Sequence, residues 1–156
     1  MNIRMVLKSL GIVIMFEGLC MIPSLLVSMI YHEDDAVSFV ISILITAAAG
    51  LLLYKIPIRN SKFYERDGYA VVALSWIAIS LFGAFPFIIS NTVPSFIDAF
   101  FETVSGFTTT GSTILKEIES LPRGILFWRS FTNWLGGMGV LVLTFAVLPS
   151  VSAGSL

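Results

Sequence analysis

The run Ser105-Gly106-Phe107-Thr108-Thr109-Thr110-Gly111-Ser112-Thr113 carries no charge and lies between two long apolar segments. It cannot be a membrane-spanning helix, because three adjacent β-branched Thr residues and two Gly are poor helix formers. A short amphipathic segment, Pro94 to Gly106, leads into it and is too short to span. Long apolar helix, short helix, polar non-helical loop, long apolar helix is the order that a re-entrant pore loop requires. Irregular backbone at membrane depth is tolerated only where it lines a watery path or is buried in protein. Carbonyl oxygens held in such a loop can replace the water around a cation.

The rest of the chain agrees with a membrane setting. Of 156 residues, 56% are hydrophobic and 12% charged, with a mean hydropathy of +0.93. Soluble domains carry roughly twice that charged fraction. A secretory leader does not account for the N-terminus: the apolar stretch from about Ile12 to Ile30 exceeds a usual leader core, no A-x-A-like site follows, and a second apolar segment comes soon after. The net charge of −1 implies no nucleic-acid partner. The single Cys20 rules out an internal disulfide and a cysteine-based metal site, and it reads as a small buried hydrophobe.

Four stretches reach the ~20 apolar residues that a helix needs to cross a bilayer core. They are Leu10–Tyr31, Ala36–Tyr54, Tyr69–Ser90 and Ile125–Leu148, with the loop segment Pro94–Thr113 between the third and fourth. Arg4 and Lys8 precede the first span, and Lys55, Arg59, Lys62 and Arg66 lie between the second and third. His32, Glu33, Asp34 and Asp35 lie between the first and second. Positive loops stay inside, so the N-terminus is expected in the cytoplasm and the loop dips in from outside. Lys116, Arg123 and Arg129 then lie outside as a mild exception. Tyr31, Tyr54, Tyr69, Trp128 and Trp134 fall near span ends, where interfacial aromatics belong.

The chain thus divides into residues 1–67, a transmembrane hairpin with a basic cytoplasmic linker (Lys55–Asp67), and residues 68–156, one unit of span, pore helix, filter and span. The hairpin reads as peripheral, and no repeat relates the two parts. Pro23 predicts a kink in the first span, and Pro149 the end of the fourth.

Within the pore unit, Ser95 and Asp98 have the spacing of a capping box, and an acid suits a helix N-terminus. Phe96, Ile97, Ala99, Phe100, Phe101 and Val104 supply an apolar surface at helical spacing. Gly106 is a plausible stop. A helix entering from outside points its C-terminal partial negative charge at the membrane centre, which favours a cation there. Gly111 can take φ > 0, which lets successive carbonyls point the same way. The hydroxyls of Thr108, Thr109, Thr110, Ser112 and Thr113 can add ligands or hold the loop. Uncharged oxygens suit a large monovalent cation better than a divalent one. The bland alternative is an ordinary polar outer loop.

Asp98 and Glu102 stand one helical turn apart. They form either an acidic pair that braces the filter or a capping acid plus a solvated carboxylate. A charge at depth needs a partner, and Arg129 is the expected partner of Glu102. The clustered Gly136, Gly137 and Gly139 permit close helix contact or bending. Glu17 is an ionisable group inside the first span, where such groups are expensive. His32 with its acidic neighbours reads as a solvated loop rather than a metal site.

The string Asp98-Ala99-Phe100-Phe101-Glu102-Thr103-Val104-Ser105-Gly106-Phe107-Thr108-Thr109-Thr110-Gly111-Ser112-Thr113 resembles the first pore loop of the Trk potassium uptake proteins, within the Trk/Ktr/HKT superfamily. Phe127-Trp128-Arg129-Ser130-Phe131-Thr132-Asn133-Trp134-Leu135-Gly136-Gly137-Met138-Gly139 is similar to the start of that unit's second helix, and Gly83-Ala84-Phe85-Pro86-Phe87 fits as well. Two extra N-terminal helices resemble the TrkH/TrkG branch. The resemblance implies an all-α integral membrane fold, with the helix pair followed by one helix–re-entrant loop–helix unit of a potassium-channel-like pore. Four such units would make a pseudo-fourfold filter. It implies potassium (K+) as the transported ion, held by carbonyls around Thr109 and Thr110 with Gly111 and Ser112 adjoining. Thr108, Thr113, Glu102 and Arg129 would support them. It further implies the bacterial inner membrane, symport with protons or sodium, a cytoplasmic nucleotide-binding regulatory subunit, and a homodimer of the full-length chain. This chain holds one pore unit where the family holds four, so it is expected to be an N-terminal portion whose remaining repeats are its partners, with membrane lipid around them.

Other readings are a small homotetrameric cation channel and a non-transporting membrane scaffold. A membrane enzyme using Asp98, Glu102 and Glu17 lacks an intramembrane His, a nucleophile beside a base, and metal-ligand spacing.

Overall fold

A computed structural model describes residues 2–57 and 65–152, with side-chain surroundings for 2–57 and 66–139. Among them the chain forms helices and irregular segments with no β-strand. Among the described residues, three helical stretches are long and apolar enough to cross a membrane: Ile3–Ile30, Ala36–Tyr54 and Arg66–Ile89.

The first stretch is two helices, α1 (Ile3–Cys20) and α2 (Ile22–Ile30), joined at Met21. Pro23 in the first turn of α2 causes the break, because it lacks an N–H and crowds the preceding carbonyls. Asn2 caps α1, its side chain accepting from the Met5 N–H at 3.4 Å. Helix α3 (Ala36–Tyr54) returns against α1. The two backbones nearly touch: a Cβ on Gly11 would lie 2.7 Å from the Gly50 carbonyl oxygen, so only glycine allows this crossing.

Helices α4 (Glu65–Gly83) and α5 (Phe85–Ile89) make the third stretch, again interrupted just before a proline, Pro86. Of the expected basic linker, Arg59 and Lys62 lie outside the described residues. Arg66 and Asp67 belong to the first turn of α4, so a division at 67/68 falls within a helix. Asp67 is buried and accepts from the Asn2 N–H at 3.0 Å.

Helix α6 (Phe96–Phe107) and helix α7 (Arg123–Ser152) complete the chain. The fourth expected span, Ile125–Leu148, lies within α7. Pro149 does not end that helix, which runs on to Ser152. A proline near a helix end removes one backbone bond and leaves the others in place.

The hairpin packs closely against the second part of the chain. Helix α1 packs on α4, α2 on α7, and α3 on α5. Met21 and Phe39 of the hairpin share one buried cluster with Phe87, Ala99, Phe107 and Trp128 of the second part. The acidic turn is not simply solvated either. Glu33 Oε2 accepts from the Arg123 N–H at 2.5 Å, and Asp35 Oδ2 from the Ile125 N–H at 3.2 Å. These acids sit where the first turn of α7 leaves its N–H groups unpaired and its dipole positive. Burial raises the Asp35 carboxyl above its ordinary value; a hydrogen bond from Ser28 opposes the shift, and nearby Glu33 adds to it. Among the described residues no cluster of His, Cys, Asp or Glu is arranged to hold a metal ion.

Large apolar side chains such as Phe16, Leu19, Ile30, Val37, Leu44 and Leu52 are exposed. On a soluble protein so many would be a liability; around membrane helices they are the surface that meets lipid.

Candidate functional site

Helix α6 starts as its sequence predicts: Ser95 is extended, and its Oγ accepts from the Asp98 N–H at 3.4 Å. The helix does not stop at Gly106. It runs to Phe107, with Thr108 as its C-cap. Gly106 serves packing instead, since a Cβ there would collide with Thr132 Oγ1 of α7. Two further bonds brace this pair of helices against α4. Thr103 Oγ1 donates to the Ser80 carbonyl at 2.7 Å, and Trp128 Nε1 donates to the Gly83 carbonyl at 3.0 Å.

Residues 108–122 contain no helix, and their first part doubles back along α6. The hydrogen bonds trace the reversal. The Thr110 N–H donates to the Ser105 carbonyl at 3.0 Å, Ser105 Oγ to the Ser112 carbonyl at 2.6 Å, and Thr113 Oγ1 to Glu102 Oε1 at 2.9 Å. As the loop advances from 110 to 113, its partners retreat from 105 to 102. Thr109 and Gly111 hold φ of 57° and 75°. Gly111 takes that conformation without cost, whereas β-branched Thr109 is strained by it. Thr108 Oγ1 donates to the Val104 carbonyl at 2.7 Å and meets Thr110 Oγ1 at 2.9 Å, closing the turn.

Glu102 anchors the returning strand. Besides Thr113, it accepts from the Ile114 N–H at 3.1 Å and from Arg129 Nε at 2.6 Å. The Glu102 side chain is 1% exposed and that of Arg129 22%. The expected Glu102–Arg129 contact is therefore present, with the carboxylate wholly inside the protein. Asp98 does not join it; it stays half-buried in the first turn of α6. A polar cavity of about 230 Å3 lies behind the loop, lined by Glu102, Ser105, Gly111, Ser112, Arg129 and Asn133. Residues 108–114 are exposed on the other side.

One part of this arrangement escapes the sequence: Ser105, seven residues from the carbonyl it holds, has no local spacing signal. Gly136, where close helix contact is expected, touches the backbone of Phe107 at the end of α6. Glu17 lies elsewhere, buried on α1, and neither of its carboxylate oxygens has a hydrogen-bond partner.

The family model described as "TrkH: Cation transport protein" matches residues 35–156. The Trk system potassium uptake protein TrkH of Halomonas elongata is 38% identical over 159 residues, covering all of this chain and 33% of that protein. TrkH of Escherichia coli K12 is 39% identical over 160 residues, again 33% of its length, and TrkG of the same organism is 36% identical. The crystal structure of the potassium transporter TrkH from Vibrio parahaemolyticus superposes with a TM-score of 0.88 at 34% identity, over 96% of this chain and 32% of that one. The chain thus spans about a third of the relatives that it matches. It is a multi-pass membrane protein, and it belongs to the TrkH family of cation transport proteins.

Proposed function

We propose that this chain supplies one pore unit to a potassium uptake pathway in the bacterial inner membrane. The carbonyls of Thr109, Thr110, Gly111 and Ser112 form one side of a pseudo-fourfold selectivity filter. Thr108 and Thr113 hold that strand through their hydroxyls, and Glu102 with Arg129 fixes it against α7. The loop enters from the outer side, and the N-terminus is cytoplasmic. Residues 1–67 act as the hairpin and linker, and residues 68–156 as the pore unit. Further pore units, a cytoplasmic nucleotide-binding regulatory subunit and a second copy of the full-length chain are its partners.

The observation that carries this reading is the exposed, uncharged strand 108–113 folded back on α6 with positive φ at Thr109 and Gly111. A stretch without fixed charge stabilises a dehydrated monovalent ion through many oxygen dipoles, not through a carboxylate ring. The single unit leaves that strand exposed on one face, as a filter quadrant must be until its neighbours surround the ion. No covalent step is needed: the ion sheds water, passes the oxygens and moves inward.

Potassium-limited growth of a transport-deficient host tests the reading. Three constructions are compared: this chain alone, the chain joined to three further pore units, and that longer protein with Gly111→Ser. Growth is expected for the second only. Equal growth with Gly111→Ser removes the filter assignment. Growth with the chain alone, together with a crosslinked tetramer, replaces the one-unit reading with a homotetrameric channel.

A further inference from the structure

We infer that Ser105 is a positioning residue for ion selectivity. Its hydroxyl, acting through the Ser112 carbonyl, fixes the direction in which the Gly111 and Ser112 carbonyls meet the ion. The inference rests on the proposed filter role of residues 109–112.

The strand begins as an ordinary helix end. Thr109 holds φ of 57°, its N–H donates to the Gly106 carbonyl at 2.9 Å, and the Thr110 N–H donates to the Ser105 carbonyl at 3.0 Å. With Thr108 as C-cap, these are the two bonds of a Schellman motif. The Gly111 N–H also donates to the Ser105 carbonyl, at 3.4 Å. In a planar trans peptide the N–H and the preceding carbonyl point in opposite directions. The Thr109 and Thr110 carbonyls therefore face away from α6, where residues 108–114 are exposed. That much follows from the backbone of a helix end and requires no particular side chain at 105.

Beyond Gly111 the helix end gives no such support. Gly111 holds φ of 75°, and a Cβ there would meet nothing within 4 Å. Glycine is the least restricted residue, so position 111 contributes no steric hold on its own carbonyl. The tie that follows is Ser105 Oγ, which donates to the Ser112 carbonyl at 2.6 Å. This bond departs from the pattern of other helix serines. Ser28, Ser42, Ser80 and Ser130 each donate to the carbonyl four residues back. Ser105, 5% exposed, reaches forward across the turn instead. It thereby bridges the gap between the helix cap and Glu102, which holds Thr113 and Ile114. A carbonyl oxygen has two acceptor positions, so Ser112 keeps one for an ion.

The test uses the chain joined to three further pore units, in proteoliposomes, with Vmax/KM measured separately for potassium and sodium uptake. Ser105→Ala is expected to lower the potassium-to-sodium ratio about five-fold, the worth of one hydrogen bond. Ser105→Thr keeps the hydroxyl and is expected to stay within about two-fold of the parent. A merely structural serine would change the amount of folded protein, reducing uptake of both ions alike and leaving the ratio where it was. Ser105→Cys keeps the side-chain volume but has only a weak S–H donor. It is expected to lower the ratio as Ser105→Ala does, and it decides the matter if Ser105→Ala does not fold. A parent-like ratio in the variant that decides, or a ratio in Ser105→Thr as low as in Ser105→Ala, overturns the inference. Gly111→Ser separates the two failures. If it alters uptake while Ser105→Ala keeps the parent ratio, the filter assignment stands and the role of Ser105 falls. If Gly111→Ser itself keeps parent uptake and ratio, the filter assignment falls and takes this inference with it.

Discussion

Gly136 of α7 rests on the backbone of Phe107, the last residue of α6, so closely that a Cβ at 136 would overlap the Phe107 carbonyl oxygen. The end of the short helix, and hence the start of the proposed filter strand, is set by a glycine on another element. Backbone cannot yield as a flexible side chain can. Gly136→Ala is therefore expected to cost about 1–3 kcal/mol by overpacking and to lower potassium uptake. Gly137→Ala is the control, since its Cβ would meet only Thr109 Cγ2 at 3.8 Å. Thermal unfolding and potassium-limited growth should separate the two; equal behaviour would refute the contact.

The Glu102–Arg129 pair should show strong coupling. Glu102 carries three kinds of donor at once, so Glu102→Gln leaves Arg129 unpaired and loosens both Thr113 and Ile114. Breaking a buried pair by removing one partner costs about 3–5 kcal/mol, with the partly exposed Arg129 pulling the value down. Glu102→Gln, Arg129→Gln and the double change form a cycle. The double change is expected to cost less than the sum by more than ~0.5 kcal/mol, measured by chemical unfolding. Additive losses would mean that the contact contributes little.

Thr109 offers a test that separates stability from function. Its φ of 57° is unfavourable for a β-branched residue. Thr109→Gly relieves strain worth about 1–2 kcal/mol, yet it loosens the backbone that presents the carbonyls. The variant is expected to be at least as stable as the parent but to discriminate less between potassium and sodium in flux assays. A destabilised protein with unchanged selectivity would contradict the proposed role.

The buried Asp35 predicts a pH dependence. Burial raises its folded carboxyl above its ordinary value, so the neutral form is favoured on folding. That contribution is present below about pH 4 and is lost as pH rises through the raised folded value. Asp35→Asn keeps an acceptor for the Ile125 N–H but does not titrate. The unfolding free energy of the parent relative to Asp35→Asn should therefore fall between pH 4 and neutrality. A relative gain over that range would reverse the sign and exclude burial as the dominant influence.

Local physics made much of this molecule legible in its sequence. Apolar length identified three of the spans, proline geometry the break before Pro23, a capping residue the start of α6 at Ser95, and the freedom of glycine the positive φ at Gly111. Each of these depends on residues close together in the sequence. The tertiary structure alone decided where the hairpin sits, because the bonds from Arg123 and Ile125 to Glu33 and Asp35 join residues 90 apart in sequence. It likewise decided that Gly106 packs rather than terminates, that Asp98 and Glu102 part company, and that Glu17 is buried without a hydrogen-bond partner. Periodicity reveals which face of a helix is apolar, but not which backbone it will touch. That depends on the close packing of whole helices, where the presence or absence of one methyl group determines the approach.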